Sequence, residues 1–434
     1  MKKLYVLLFA LSTVFFMYGQ KPGQINDKVS DLIWKGMPSQ LLTNQEVKEE
    51  INTKVEMLKK WMQENDLGGM LFTQVRNVNW ITAGRANNQI VLNKDVGGAS
   101  LLVMADGEKY LIANGSEAPR MLDESLKGLG YTLKFYPWYE ANPVKDVRGD
   151  LIKEISGGKR IGSDISYPET VLMDEQFQPL RYQLLPTEIK RYKWICEQTT
   201  EAVANVCRRL RPGMSEFEIE AMTSDEIRSR GIMPTVLLIG VDQRIYKYRH
   251  AIPFGDTLKE YGMVNVVAEK WGMPVAVTRF VHFGPLPDEL KSKLERTAVV
   301  NARYEEATRP GVKCSSIWEE MKKWYAEAGY EGEWKNHHQG GAIGYNDREY
   351  VIYPGIDKVV HMNQAFAWNP TITGAKVEET ILVRQDSIEV LTRAQDWPMI
   401  NVVLDGKTYP QPGILIKDPA TGEIIKQEVE TIKP

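Results

Sequence analysis

His250, Glu378 and Arg348 are the residues of this chain whose types and settings best suit chemistry. His250 lies in Arg249-His250-Ala251-Ile252-Pro253, and an imidazole is the side chain suited to moving a proton near neutral pH. A solvent-exposed or core-satisfied histidine is the plain alternative. Glu378 lies in Lys376-Val377-Glu378-Glu379-Thr380. Strand alternation puts Glu378 and Thr380 on one face and Glu379 on the other, so only one of the adjacent glutamates can enter a common site. Arg348 precedes Glu349; its permanent charge rules out a role as a base but allows a two-point clamp on a carboxylate or phosphate. A salt bridge to Glu349, Asp347 or another acid is an equally good use of it. His337-His338 stand just before Gly340-Gly341. In a strand, adjacent side chains point to opposite sides, which argues against a metal site there. Cys196, Cys207 and Cys314 are the only cysteines. An odd number without close spacing gives neither a disulfide framework nor a zinc site. Cys196 and Cys207 fall on a helical pattern, as small core residues do.

The elements that must position these residues follow from periodicity. With 434 residues, 43% apolar and 26% charged, the chain is long enough for two domains with separate cores. A formal net charge of −3, with no dense Lys/Arg block, excludes nucleic acid as a partner. Arg208-Arg209-Leu210-Arg211 sits at a helix end, where cations complement the helix dipole. Lys2-Lys3 and the apolar run Leu4 to Met17 have the layout of a secretory signal peptide, assigned to 1–20. The run is shorter than the roughly 18–20 residues needed to cross a bilayer, although an uncleaved anchor is the alternative. The expected location is secreted or periplasmic, with no membrane contact after signal cleavage.

A polar lead-in occupies 21–44, a first domain 45–184, a second domain 185–395 and a peripheral extension 396–434. In the first domain, Ile51 to Asp66 reads as a helix and Gly69-Met70-Leu71-Phe72 as a buried strand. Asp106-Gly107 marks a hairpin between Ser100–Ala105 and Glu108–Ala113. In the second, Ile189, Tyr192, Cys196, Thr199, Val203, Val206 and Leu210 recur at helical spacing and end at Arg211-Pro212-Gly213. Ser215 and Glu218 then form a capping box. The phrase returns: Leu290, Leu294, Ala298 and Ala302 lead to Arg309-Pro310-Gly311, followed by Ser316 and Glu319 as the next cap. This repetition predicts two similar halves.

Five short segments carry a family resemblance. They are Val264-Asn265-Val266-Val267, Val275-Ala276-Val277-Thr278-Arg279, Gly340-Gly341-Ala342-Ile343-Gly344, Trp368-Asn369-Pro370 and Val377-Glu378-Glu379-Thr380. Their order and flanking residues resemble the creatinase, prolidase and aminopeptidase P family, over roughly residues 45–395. The resemblance implies an α/β (α+β) protein: a creatinase-type N-terminal α/β domain, then a "pita-bread" domain of two pseudo-twofold αβ halves. Asn77-Val78-Asn79-Trp80-Ile81-Thr82-Ala83-Gly84 is similar to the N-terminal domain's strand-and-turn segment. Metal-dependent members hold two metal ions on Asp, Asp, His, Glu and Glu, and those positions read Asn265, Ala276, Gly341, Asn369 and Glu378 here. One carboxylate cannot neutralise two divalent cations, so neither metal nor any other cofactor is expected.

In metal-free relatives the histidine at the place of His250 is the acid/base group, and a glutamate at the place of Glu378 binds a cationic substrate group. The resemblance thus implies His250 and Glu378 as catalytic residues, with Arg348, Thr278, Asn265 and Asn369 lining the substrate. Glu378 is expected to raise the pKa of His250. Two departures from creatinases, Thr278 at the place of a guanidinium-binding glutamate and Gly341 at that of a histidine, argue against creatine. The expected activity is metal-independent C–N hydrolysis of a small zwitterionic compound or short peptide. A non-catalytic binding protein using the same pocket is the alternative, and an Xaa-Pro aminopeptidase is a third reading by family label. Relatives of this two-domain type commonly dimerise, so a homodimer is expected.

Overall fold

A capping box starts the first helix: Thr43 accepts from the Glu46 N–H while the Glu46 carboxylate accepts from the Thr43 N–H. The computed structural model describes residue 38 and residues 41–434; the signal segment and most of the lead-in lie outside the described residues. From Asn44 to Glu64 the helix buries Val47, Ile51, Val55, Leu58 and Met62 on one stripe. That stripe covers a six-stranded sheet of β1 (Gly69–Gln74), β2 (Val96–Met104), β3 (Lys109–Ala113), β4 (Thr132–Phe135), β5 (Ile161–Ser163) and β6 (Val171–Leu172), in the order β4-β3-β2-β1-β5-β6. β2 and β3 form the hairpin expected around Asp106-Gly107, where Gly107 has φ +98. The strand expected in Asn77–Gly84 is instead the helix Val75–Ile81. Its Val78, Trp80 and Ile81 go into the core, and Asn79 Nδ2 bonds back to Val75 O at 2.9 Å.

The helix Pro186–Arg209 opens the second unit and packs on a four-stranded sheet with the helix Glu216–Arg228. That sheet contains β7 (Met233–Val241), β8 (Tyr261–Lys270) and β9 (Met273–Phe283). The second half packs the helices Asp288–Ala307 and Cys314–Glu327 on a five-stranded sheet ordered β11-β10-β12-β15-β16. Its strands are β10 (Gly340–Ile343), β11 (Tyr350–Val351), β12 (Ala365–Trp368), β15 (Glu379–Val383) and β16 (Ile388–Val390); a small ladder of β13 (Thr371–Ile372) and β14 (Ala375–Lys376) precedes β15.

The two halves match at the level of backbone hydrogen bonds. Gly213 N–H donates to Leu258 O and Gly311 N–H to Val360 O, both at 2.9 Å. Glu216 N–H to Asp256 O and Cys314 N–H to Lys358 O, again both at 2.9 Å, repeat the correspondence. Ser215 caps the first of these helices with Glu218 as expected. The cap expected at Ser316 and Glu319 is corrected: Lys313 is the N-cap there, and both residues lie inside the helix. Lys313 is the counterpart of Ser215, since each forms an isolated bridge, to Val359 and Thr257 respectively. The repeat therefore conserves backbone geometry rather than the capping side chain.

The extension is not peripheral. β17 (Met399–Leu404), β18 (Lys407–Pro412) and β20 (Glu430–Ile432) form a sheet of their own, while β19 (Ile414–Lys417) pairs in parallel with β9 and completes the order β19-β9-β8-β7. The apolar run Ile414-Leu415-Ile416 makes this possible, and buried Lys417 donates to the helix-end carbonyls Arg208 O and Leu210 O at 2.6 and 2.8 Å. The β8–β9 turn reaches the first unit. Gly272, at φ +73, lies so close to Asn79 that a Cβ would stand 2.7 Å from the Asn79 Cβ, so a side chain fits neither the space nor the backbone.

Candidate functional site

β8 and β9 are buried along nearly their whole length and place Asn265 opposite Thr278 in register. Glu378, between β14 and β15, turns onto this pair. Its Oε2 accepts from Thr278 Oγ1 at 2.6 Å and from Asn265 Nδ2 at 2.5 Å. Lys376 Nζ stands 3.0 Å from the same oxygen and 3.3 Å from Asn265 Oδ1. Arg348 Nη2 stands 3.5 Å from Glu378 Oε1. Burial alone would raise the Glu378 pKa, but Lys376, Arg348 and the Thr278 hydroxyl overcome it and hold the carboxyl down at about 2. Glu378 is therefore an anion at any ordinary pH, and it is already paired.

Strand alternation sorts the two glutamates as expected. Glu379 faces away and pairs with Arg279 at 2.8 Å and with the Thr392 hydroxyl. Thr380, on the Glu378 face, bonds the Ala276 backbone at both N–H and C=O, 3.1 and 2.9 Å. Arg348 does not pair with Glu349, whose carboxylate belongs to Arg181 at 2.7 Å. Arg348 instead donates to Asp347 O at 2.6 Å and turns to Glu378. Lys376 went unassigned in the sequence. The signal was present: two positions before Glu378, it shares that residue's face.

Two further positions, Asn369 and Gly341, and one more atom of Arg348 complete the description. Asn369 is 2% exposed, and among the described residues its Oδ1 has no hydrogen-bond partner; Arg348 Nε is likewise buried without one. Gly341 is closed off by β11, because a Cβ there would lie 2.1 Å from Tyr350 O and 2.8 Å from Val351 Cα.

At the rim, His250, His337 and His338 converge, with ligating atoms all within 4.8 Å of one another. His250 Nε2 and His337 Nε2 are 3.2 Å apart, with the rings edge to face at 85°. This overturns the divergence expected for His337 and His338. They lie in irregular chain between the short turn Glu333–Asn336 and β10, where strand alternation does not apply.

The expected shift of His250 is also reversed. Burial, followed by the charge of Lys376, lowers its pKa from the usual 6.5, and Glu378 only opposes this. Burial likewise lowers His337 to about 2 and His338 to about 4, with Lys376 and Arg348 respectively the next causes. All three rings are neutral at pH 7. The structure thus brings Asn265, Thr278, Arg348 and Glu378 into one hydrogen-bonded and ion-paired set, with His250 in electrostatic reach of Lys376 and Glu378.

Residues 190–385 match metallopeptidase family M24. The chain is similar to the Xaa-Pro dipeptidase of Pyrococcus horikoshii, 23% identical over 378 residues, which cover 80% of this chain and 98% of the relative. Among solved structures it is similar to the prolidase from Pyrococcus horikoshii OT3, with a TM-score of 0.66 at 19% identity over 79% of this chain and 99% of that one. The dipeptidase PepE from Mycobacterium ulcerans gives a TM-score of 0.65 at 16% identity over 80% and 96% of the respective chains. At these identities the structural likeness establishes the fold: the described residues form a pita-bread protein.

Proposed function

We propose, for a chain with the pita-bread fold whose residues 190–385 match metallopeptidase family M24, a hydrolase-type protein that works without the family's dinuclear centre and cleaves a C–N bond in a small zwitterionic compound or short peptide. One observation carries this reading: the ammonium of Lys376 lies between Asn265 Oδ1 and Glu378 Oε2. Asn265 and Glu378 hold ligand positions of the family's metal set, so a fixed monovalent cation of the protein takes the place of metal there. Two divalent ions added beside Lys376 and Arg348 would face a single carboxylate, and such ions require several anionic oxygens. Gly341 cannot regain a histidine without moving β11. The residues present do not fit the dinuclear centre.

The chemistry then belongs to the rim. A neutral His250 accepts a proton, and the orphaned Asn369 Oδ1 and Arg348 Nε accept and donate hydrogen bonds to polar groups of the ligand. Glu378 anchors Lys376 and Arg348 rather than gripping a substrate cation. That engagement also favours the second reading, a non-catalytic binding protein. An Xaa-Pro peptidase matches the names of relatives and has no further support. Export to the periplasm or beyond, and a homodimer, remain parts of the proposal, testable by fractionation and light scattering.

The test is a hydrolysis screen of dipeptides and small amidino and ureido compounds on chelator-treated protein. Turnover should fall by about two orders of magnitude or more in His250→Ala, the usual effect of removing a general base. Folding should be preserved, because this residue is exposed. Binding without turnover in the wild type would favour the second reading.

A further inference from the structure

Three of the five histidines in the chain gather in one group, and no carboxylate is part of it. They come from two separate loops, the segment after β7 that carries His250 and the segment before β10 that carries His337 and His338. We propose that His250, His337 and His338 form a mononuclear binding site for an imidazole-preferring divalent transition metal of the zinc class, made of residues other than those at the family's five ligand positions.

The geometry supports one ion. A tetrahedral zinc sits about 2.0–2.1 Å from each nitrogen, which puts ligand nitrogens roughly 3.3–3.4 Å apart. The His250–His337 pair, at 3.2 Å, already forms one such edge. The remaining separations, up to 4.8 Å, close by side-chain rotation, since His250 and His338 are exposed. A hydrogen bond between two imidazoles would explain that pair alone. It does not explain the third ring, whose ligating atom comes within 4.8 Å of the other two. An all-nitrogen set selects zinc, copper or nickel over magnesium, calcium or manganese, and three protein ligands leave a fourth position open.

The loops are also braced as ligand-bearing segments are. Arg249, next to His250, pairs with Glu333, and both bond the Thr373 hydroxyl, so the two loops are latched together. Gln339 Nε2 donates to His337 O at 2.7 Å, and Tyr325 Oη donates to Gln339 Oε1 at 2.7 Å. Two features weaken binding without removing it. Lys376 and Arg348 act on the rings as like charges, partly offset by Glu378. Loading also gives up the long 3.3 Å contact from Gly340 N–H to His338 Nδ1. The inference stands apart from the hydrolytic reading but bears on it: a nitrogen of His250 bound to metal no longer accepts a proton.

The experiment is a Zn²⁺ titration of the chelator-stripped full chain against a chromophoric chelator, with X-ray absorption of the loaded protein. Expected are one zinc per chain, an imidazole-only protein shell, and affinity reduced by at least about 100-fold in His338→Ala and in His337→Ala. His361→Ala, which removes a histidine outside the group, should bind as the wild type does. Circular dichroism checks that each variant is folded, and exposed His338 gives a substitution that does not touch the core. The absence of stoichiometric zinc in the wild type, or zinc retained by folded His338→Ala, overturns the proposal. Neither result depends on turnover, so failure here and failure of the hydrolytic reading are separable.

Discussion

Among the described residues, two of the buried charge clusters differ in balance. Between the first helix and Pro186–Arg209, Glu50 and Glu188 meet Lys54 and Arg191, with two charges of each sign. Arg191 holds Glu50 through two 2.7 Å bonds, and Lys54 Nζ reaches Glu50 and Glu188 at 2.7 Å and Trp80 O at 2.8 Å. Tyr345 adds its hydroxyl to Glu188. Arg191 Nε is the one buried side-chain atom of these five residues without a partner. At the candidate site, Lys376 and Arg348 share one carboxylate, and polar atoms of Arg348, Asn369 and His337 are unpaired. A balanced, filled cluster fixes two units against each other. An unbalanced one with spare donors and acceptors is built to be completed by something else.

The largest expected effect tests the balanced cluster. Glu50→Ala strands buried Arg191 and leaves Lys54 with Glu188 as its one carboxylate, and breaking a buried pair in this way costs about 3–5 kcal/mol; denaturant unfolding measures it, and a loss under about 1 kcal/mol would break the comparison. Glu378→Gln should cost less, about 1–3 kcal/mol, because the half-buried Arg348 can take up water in place of its partner. The same variant sharpens the comparison through pH. The Glu378 carboxyl is held down at about 2 in the folded state from an ordinary value of 4.5. Its stabilisation is present above 4.5 and lost as the pH falls through that window toward 2. The acid limb of the stability profile should become shallower in Glu378→Gln without vanishing, because Glu50 is held even lower by Arg191 and Lys54 against the opposing effect of burial. The smallest effect belongs to the exposed pair Lys193–Glu389 at 2.5 Å. Lys193→Ala should change stability by under about 1 kcal/mol, which calibrates both clusters against a surface ion pair.

Legibility in the sequence followed the kind of signal involved. Local periodicities carried well: the Asp106-Gly107 hairpin, the Ser215–Glu218 box and the Arg-Pro-Gly repeat all rest on neighbours in the chain. Alternation placed Glu378 and Glu379 on opposite faces correctly and, applied one step further, reaches Lys376. The same rule misled at His337-His338, because it holds only for strands and these residues are in irregular chain. Ser316 misled for a related reason: the two halves repeat backbone bonds, and a serine one turn too late copies the motif without the geometry. The direction of the His250 shift was out of reach, since it depends on how deeply the ring is covered and on a lysine 126 positions away in the chain. For residues 396–434, Pro, Gly and Lys content concealed a strand whose partner lies far back in the chain.

That last strand carries a consequence for biosynthesis. β9 has β8 on one side and β19 on the other, and β19 is made only after the whole five-stranded half has been translated. While the nascent chain grows, β9 must therefore wait with one row of backbone donors and acceptors unpaired. An exposed apolar edge of this kind invites pairing with another chain. A ribosome-bound fragment stopped before Gly413 should depend on holdase protection that the finished chain no longer needs.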